Sequence, residues 1–276
     1  MYDKEIKSLP KRPKAHIRTL GLSILREAQG CAQTPEQLGQ KETIHRVRVA
    51  MKRMRALIRL LHACLPSRDS AVLDRLCRQI AADLSSNRDA DVAIDTLIVL
   101  AGEDRDAGVC QRLLAALESS SSTSDQTDCD QPPDWQGVLQ RLEQIEGVFI
   151  CAPLKGLRKR HLRKGGDRGM RQGRKLWRRV RKTEEVEALH DWRKAVKRSF
   201  YQSQLLSDGE SGDKDLKALG GCLGDLHDLD MLEQRLNERR RLYWLEDLQW
   251  VLPRLQRRRR DLLAQARKLG GRIYFN

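Results

Sequence analysis

Ile44-His45-Arg46-Val47-Arg48-Val49-Ala50-Met51-Lys52-Arg53 and Leu189-His190-Asp191-Trp192-Arg193-Lys194-Ala195-Val196-Lys197-Arg198 align without a gap, 145 residues apart. Both read His-x-x-Arg-x-Ala-x-Lys-Arg, and both run on to a Leu-Leu pair, Leu60-Leu61 and Leu205-Leu206. On a helix turning about 100° per residue, His45, Arg48, Lys52, Arg55 and Arg59 share an arc of roughly 80°. Val47, Met51, Met54, Ile58 and Leu61 share a second arc of about that width. Such a helix is anchored by its apolar stripe and offers a ladder of cations beside it. In the second copy His190, Arg193 and Lys197 repeat the ladder, while Trp192, Val196 and Leu206 repeat the anchor. Phe200 and Gln204 stand where the first copy has Arg55 and Arg59, so the second ladder is shorter. Arg53 and Arg198 match the motif but sit roughly 80° round the helix, which reads as a flanking position. Arg48 and Arg193 are read as exposed rungs. Rungs about 5–6 Å apart suit a polymer charged on every unit better than a compact substrate.

A second pair keeps the same order. Leu84-Ser85-Ser86-Asn87-Arg88-Asp89-Ala90-Asp91 and Leu223-Gly224-Asp225-Leu226-His227-Asp228-Leu229-Asp230 both read Leu-x-x-x-basic-Asp-x-Asp, 139 residues apart. Two ordered matches predict a duplicated chain. Its parts would be a basic tail over 1–13, a helical half over 14–118, a linker over 119–133 and a second helical half over 134–276. The linker, rich in Ser, Asp and Pro, has little to bury.

Helical spacing recurs almost throughout. It predicts helices over 14–29, 41–65, 69–86, 88–101, 105–118, 134–148, 154–182, 184–207, 213–227, 228–248 and 250–269. Pro253 should kink or restart the helix that contains it. The run over 155–182 has 14 basic residues and one acidic, Asp167. Gly165-Gly166-Asp167 should interrupt it. Basic runs are commonly solvated faces, but this density repels itself and calls for an anionic partner.

Composition narrows the classes. The chain has 276 residues, a formal charge of +15, 39% hydrophobic residues and 4% aromatic ones, which suits a folded, helix-rich protein rather than a β structure. Arg outnumbers Lys, 37 to 16, and the planar guanidinium matches phosphate oxygens two at a time. A polyanion is therefore the expected partner. The seven cysteines never form Cys-x-x-Cys, which argues against a disulfide framework or zinc ribbon and for a reducing, cytoplasmic setting. No apolar stretch approaches the ~18 residues of a membrane span. There is no Gly-Lys pair for a phosphate-binding Walker loop, no His-Glu-x-x-His and no Gly-x-Ser-x-Gly.

These motifs resemble the CHAD family, the "conserved histidine α-helical domain". The likeness rests on the His-x-x-Arg-x-x-x-Lys-Arg helix in each half and the Arg88-Asp89-Ala90-Asp91 segment. It also rests on the basic opening Gly156-Leu157-Arg158-Lys159-Arg160-His161 and the ending Ala266-Arg267-Lys268-Leu269-Gly270-Gly271-Arg272-Ile273-Tyr274-Phe275. It spans about residues 14–275. The resemblance implies an all-α fold of two pseudo-symmetric helical bundles around a central basic groove. It implies the stand-alone kind that binds inorganic polyphosphate, in the cytoplasm or at polyphosphate granules, with no catalytic residues, metal or cofactor. Carried over, the ligands would be His45, Arg48, Lys52 and Arg55, then His190, Arg193 and Lys197. Arg158, Arg163 and Lys164 join them from the basic helix, whose register is open. Arg53, Arg59 and Arg198 complete the candidate set.

Other readings compete. Asp225, His227, Asp228 and Asp230 resemble metal ligands, but Arg88 stands opposite His227, so helix-start carboxylates paired with Arg are preferred. The pairs His190-Asp191 and His227-Asp228 bring a metal-dependent phosphohydrolase to mind; the first half lacks them. Nucleic acid is the secondary partner, since electrostatic affinity does not tell phosphate polymers apart. The first ladder has no aromatic for base stacking, and Trp177 is the one aromatic in the basic helix. The acidic region 83–134 could dock a basic protein. His16, His62 and His161 lack a repeated context and read as ordinary; Trp244 and Trp250 read as core.

Overall fold

The computed structural model of the chain describes residue 9 and residues 13–84, 88–102, 108–121, 133–154, 156–207, 212–238 and 240–275, with the side chains of 88–91, 119–121 and 242 left aside. The described residues form eleven α-helices and one 3-10 turn, Arg240–Leu242, with no strand among them. The helices are α1 (Lys14–Gln33), α2 (Pro35–Leu38), α3 (Gln40–Leu60), α4 (Ser67–Asp83), α5 (Arg88–Ala101) and α6 (Gly108–Ser121). They continue as α7 (Trp135–Cys151), α8 (Lys159–Thr183), α9 (Val186–Leu206), α10 (Lys214–Glu238) and α11 (Leu245–Phe275). The all-α expectation holds. None of these helices is long and apolar enough to cross a membrane.

The chain divides into two compact units, each drawn from three separate stretches. Unit 1 takes residues 1–85, 133–175 and 194–217; unit 2 takes 86–132, 176–193 and 218–276. Each unit thus uses residues from both halves of the sequence.

The core of unit 1 grows from the anchor stripe of α3. Val47, Met51, Met54, Ile58 and Leu61 are fully buried, as their spacing predicts, together with Ile17, Ile24 and Leu25 of α1 and Leu142, Ile145 and Phe149 of α7. Burying a side chain of this size is worth about 1.5–3 kcal/mol, so this stripe fixes how α3 sits. The helix starts at Gly39, whose φ of 78° a side chain would resist. Thr43, fully buried, donates from Oγ1 to the Gly39 carbonyl at 3.0 Å and secures the first turn.

In unit 2, Trp192 is fully buried and its Nε1 donates to the Tyr274 hydroxyl at 3.2 Å. Trp177 is buried too and donates to the Arg267 carbonyl at 3.2 Å. Gly270 lets the indoles in, since a Cβ there would lie 2.3 Å from the Trp177 ring. Arg112 of α6 holds the buried Asp247 of α11 at 2.6 Å.

Several expected boundaries move. Helix α8 begins at Lys159 rather than 154 and passes through Gly165-Gly166-Asp167 without a break. A Cβ on Gly165 would lie 2.2 Å from the Leu60 carbonyl oxygen, so the glycine serves close packing of α8 against the end of α3. The helices expected at 213–227 and 228–248 are one helix, α10, ending at Glu238. Asp225, Asp228 and Asp230 therefore lie mid-helix, not at a helix start; Asp230 does pair with an arginine, Arg259 of α11. Helix α11 starts at Leu245 and contains Pro253 without restarting there. Trp244, expected in the core, is 69% exposed beneath Arg112, and Trp250 is half-buried under Arg254. Ser119–Ser121, expected in the linker, end α6, while 122–132 lie outside the described residues. The Arg88–Asp91 side chains lie outside them too, as does much of the acidic 83–134 region.

Candidate anion-binding site

The cationic ladder of α3 divides by depth. His45 is exposed, and Arg48 and Lys52 are half-buried. Arg48, expected as an exposed rung, donates from Nη1 to the Leu84 carbonyl at 2.8 Å and so satisfies the end of α4. Arg193 is half-buried as well, not exposed. Arg53 turns away to Glu27 at 2.7 Å, in keeping with its flanking angle.

The last two rungs meet a carboxylate. Asp74 of α4 is 8% exposed and receives Arg55 Nε at 2.9 Å, Arg78 Nε at 3.2 Å and Arg59 Nη2 at 3.8 Å. Three guanidiniums around one carboxylate leave an excess of positive charge. That excess borders a cavity of about 420 Å³ within unit 1, walled by the end of α3, by α4, by α8 and by α9. Arg59 and His62, Asp74 and Arg78, Arg168, and Arg198 supply its ionisable groups.

The electrostatics follow from this crowding. Burial first, then Arg59, Arg55 and Arg168, push the Arg198 guanidinium below its ordinary pKa, and Asp74 partly opposes them. Burial, then Arg168, Lys164 and Arg59, hold His62 below the usual imidazole value. Both shifts report a site where positive charge costs free energy and an anion would relieve it. Residues that line the cavity also carry unsatisfied atoms beneath its surface. Arg198 Nε, His62 Nδ1 and Gln202 Oε1 are buried without a hydrogen-bond partner in the chain.

The structure thus brings Arg55, Arg59 and Arg198 together, with Lys164 near enough to act on His62. The remaining candidates lie elsewhere. Arg158 and Arg163 are exposed, and the backbone N–H of Arg158 donates to His161 Nδ1 at 3.1 Å. Lys197 is half-buried in unit 1. His190 and Arg193 belong to unit 2, where the His190 ring lies 5.0 Å from that of His227. Sequence reading missed His62, Arg168 and Gln202. His62 has a signal, because Arg55, Arg59 and His62 keep the i, i+4, i+7 spacing of the ladder. Among the described residues no group of three or more His, Cys, Asp or Glu is placed to hold a metal ion.

A family model described as the CHAD domain matches residues 24–213. The fold is similar to the crystal structure of the CHAD domain from the plant Ricinus communis, with a TM-score of 0.58 and 20% identity. That likeness covers 90% of this chain and 84% of the plant one. No curated protein matches the chain in sequence.

Proposed function

The chain belongs to the CHAD domain family, and we propose that it binds inorganic polyphosphate through basic side chains of α3, α8 and α9 without cleaving it. The observation that carries this reading is the crowding of Arg55, Arg59 and Arg168 about Arg198, with Asp74 the carboxylate that partly opposes them. Such a field favours a ligand with closely spaced negative charges. Lys52, Lys197 and the exposed Arg163 and Lys164 extend the contacts in unit 1; His190 and Arg193 are assigned the same role in unit 2. Polyphosphate granules in the cytoplasm are where this activity would serve.

Nucleic acid is less well supported. Trp177, the aromatic of the basic helix, is buried and donates to Arg267, so its indole is already committed. Single-strand binders stack bases on aromatic side chains set in their basic groove, and Trp177 is not free to serve in that way. The test is a competition at physiological salt between long polyphosphate, single-stranded nucleic acid and duplex DNA of equal charge. Polyphosphate should win, with its chain length unchanged after incubation with or without divalent metal. Equal or tighter binding of nucleic acid would sink the reading, and release of phosphate would revive a hydrolase.

A further inference from the structure

We propose that Phe275 and Arg178 form a platform on which unpaired bases of a single-stranded nucleic acid stack. The inference goes beyond the polyphosphate reading, because it concerns planar bases, which that polymer lacks. Every residue it uses lies in unit 2. Its starting point is the Phe275 ring, which stays 56% exposed although Tyr274 beside it in α11 is buried. The ring lies 5.1 Å from that of Trp177, centroid to centroid, with the two planes inclined by 45°. Trp177 is held in place: it is buried, its Nε1 donates to the Arg267 carbonyl, and the space left by Gly270 receives its indole. The buried indole is thus the floor of the platform, and the exposed phenyl ring is its surface.

Cations border the ring. The Arg178 guanidinium lies 5.6 Å from the Phe275 centroid, and that of Arg181 lies 4.8 Å from the Trp177 centroid. Both fall within the roughly 6 Å reach of a cation–π contact. Arg178, Arg181, Lys182 and Arg272 are exposed, whereas Arg179 and Arg267 are engaged by Glu185 and Glu184. A polyphosphate chain could use this charge, but an exposed phenyl ring offers its oxygens nothing. A nucleotide strand uses both. Its phosphates meet the cations, and each unpaired base has a π-face to lay on the ring or on a guanidinium plane. A protein partner fits less well, because a stable interface covers about 800 Å² on each side and one ring among cations is a far smaller apolar surface.

The experiment measures the affinity of the full chain for a single-stranded DNA of about ten nucleotides, a length within the site sizes of single-strand binders. Its sequence is mixed and not self-complementary. An abasic strand of the same length and charge, the corresponding duplex and long polyphosphate are measured beside it. The unaltered protein should bind the base-bearing strand at least about fivefold more tightly than the abasic one. The duplex, whose base faces are already stacked, should show no such gain over the abasic strand. Phe275→Leu keeps an apolar side chain but removes the ring. It should melt normally, erase the preference for bases, and leave binding of the abasic strand and of polyphosphate unchanged. Phe275→Trp should retain the preference. Equal affinity for the two single strands in the unaltered protein, or binding of neither, overturns the platform. A preference that survives in Phe275→Leu overturns the assignment to this ring, and so does an equal loss of polyphosphate binding in that variant. Failure of the unaltered protein to bind polyphosphate would overturn the polyphosphate reading and leave the base preference to be judged on its own strands.

Discussion

Arg48 Nη1 lies 2.8 Å from the Leu84 carbonyl oxygen, so a residue of the ladder closes the C-terminus of the neighbouring helix α4. The last carbonyls of a helix have no partner within it, and a cation there is doubly favourable. Arg48 thus has a structural duty that Arg59, half exposed and only 3.8 Å from Asp74 at its closest, does not share. Arg48→Met should lower the free energy of unfolding by about 1.5–3 kcal/mol. Arg59→Met should change it by less than about 0.5 kcal/mol. Urea denaturation of both variants decides the matter; equal losses would mean the contact with Leu84 adds nothing.

Charge reversal at the exposed rung tests binding without that complication. Arg59→Glu should melt normally and lose at least about tenfold in affinity for polyphosphate, since a favourable contact becomes a repulsion. The slope of log affinity against log salt should flatten by about one to two phosphate contacts. Unchanged affinity and slope would remove Arg59 from the site.

His62 gives the pH dependence. Its pKa is held below 6.5 by burial, Arg168, Lys164 and Arg59, so in the free protein the ring stays neutral to lower pH than in the unfolded chain. The unfolded chain then binds more protons in that window, and stability should fall as pH drops below about 6.5. A bound polyanion opposes the neighbouring cations and raises the pKa. Binding therefore takes up a proton, and affinity should rise as pH falls through the same window. An NMR titration of the His62 ring with and without polyphosphate reads both effects. If the ligand leaves the midpoint in place, the imidazole does not sense it.

Two glycine substitutions should act in opposite directions. Gly165→Ala puts a methyl 2.2 Å from the Leu60 carbonyl oxygen, a backbone atom with little room to yield. It should destabilise by about 1–3 kcal/mol as α8 is pushed off α3. Gly30→Ala in α1 meets nothing within 4 Å and should stabilise by about 0.5–1 kcal/mol. Thermal melts of the pair suffice, and a neutral Gly165→Ala would show that the two helices can separate at no cost.

The anchor stripe of α3 is legible in sequence because burial on one face of a helix leaves a 3.6-residue period. Val47, Met51, Met54, Ile58 and Leu61 all obey it. The partners of the cations left no such trace. Asp74, which gathers Arg55, Arg59 and Arg78, and Leu84, which takes Arg48, are set by how α4 packs on α3. Arg168, Arg198 and Gln202 come together from two helices far along the chain. Periodicity describes one helix at a time and does not report what another helix brings to its end. Gly165 misled for a related reason. Glycine weakens a helix in isolation, but here it admits a backbone oxygen that any other residue would exclude.

The three-stretch make-up of each unit governs how the protein can be born. Unit 1 needs residues as late as 217, and unit 2 needs residues up to the end of the chain. During translation neither can close while the first 118 residues alone have emerged, although that stretch is a tidy half of the sequence. Its apolar faces wait for α7, α8 and α9, which makes the nascent chain a natural client of chaperones. A fragment cut within 119–133 inherits the same exposure permanently and should aggregate rather than behave as a miniature of the whole.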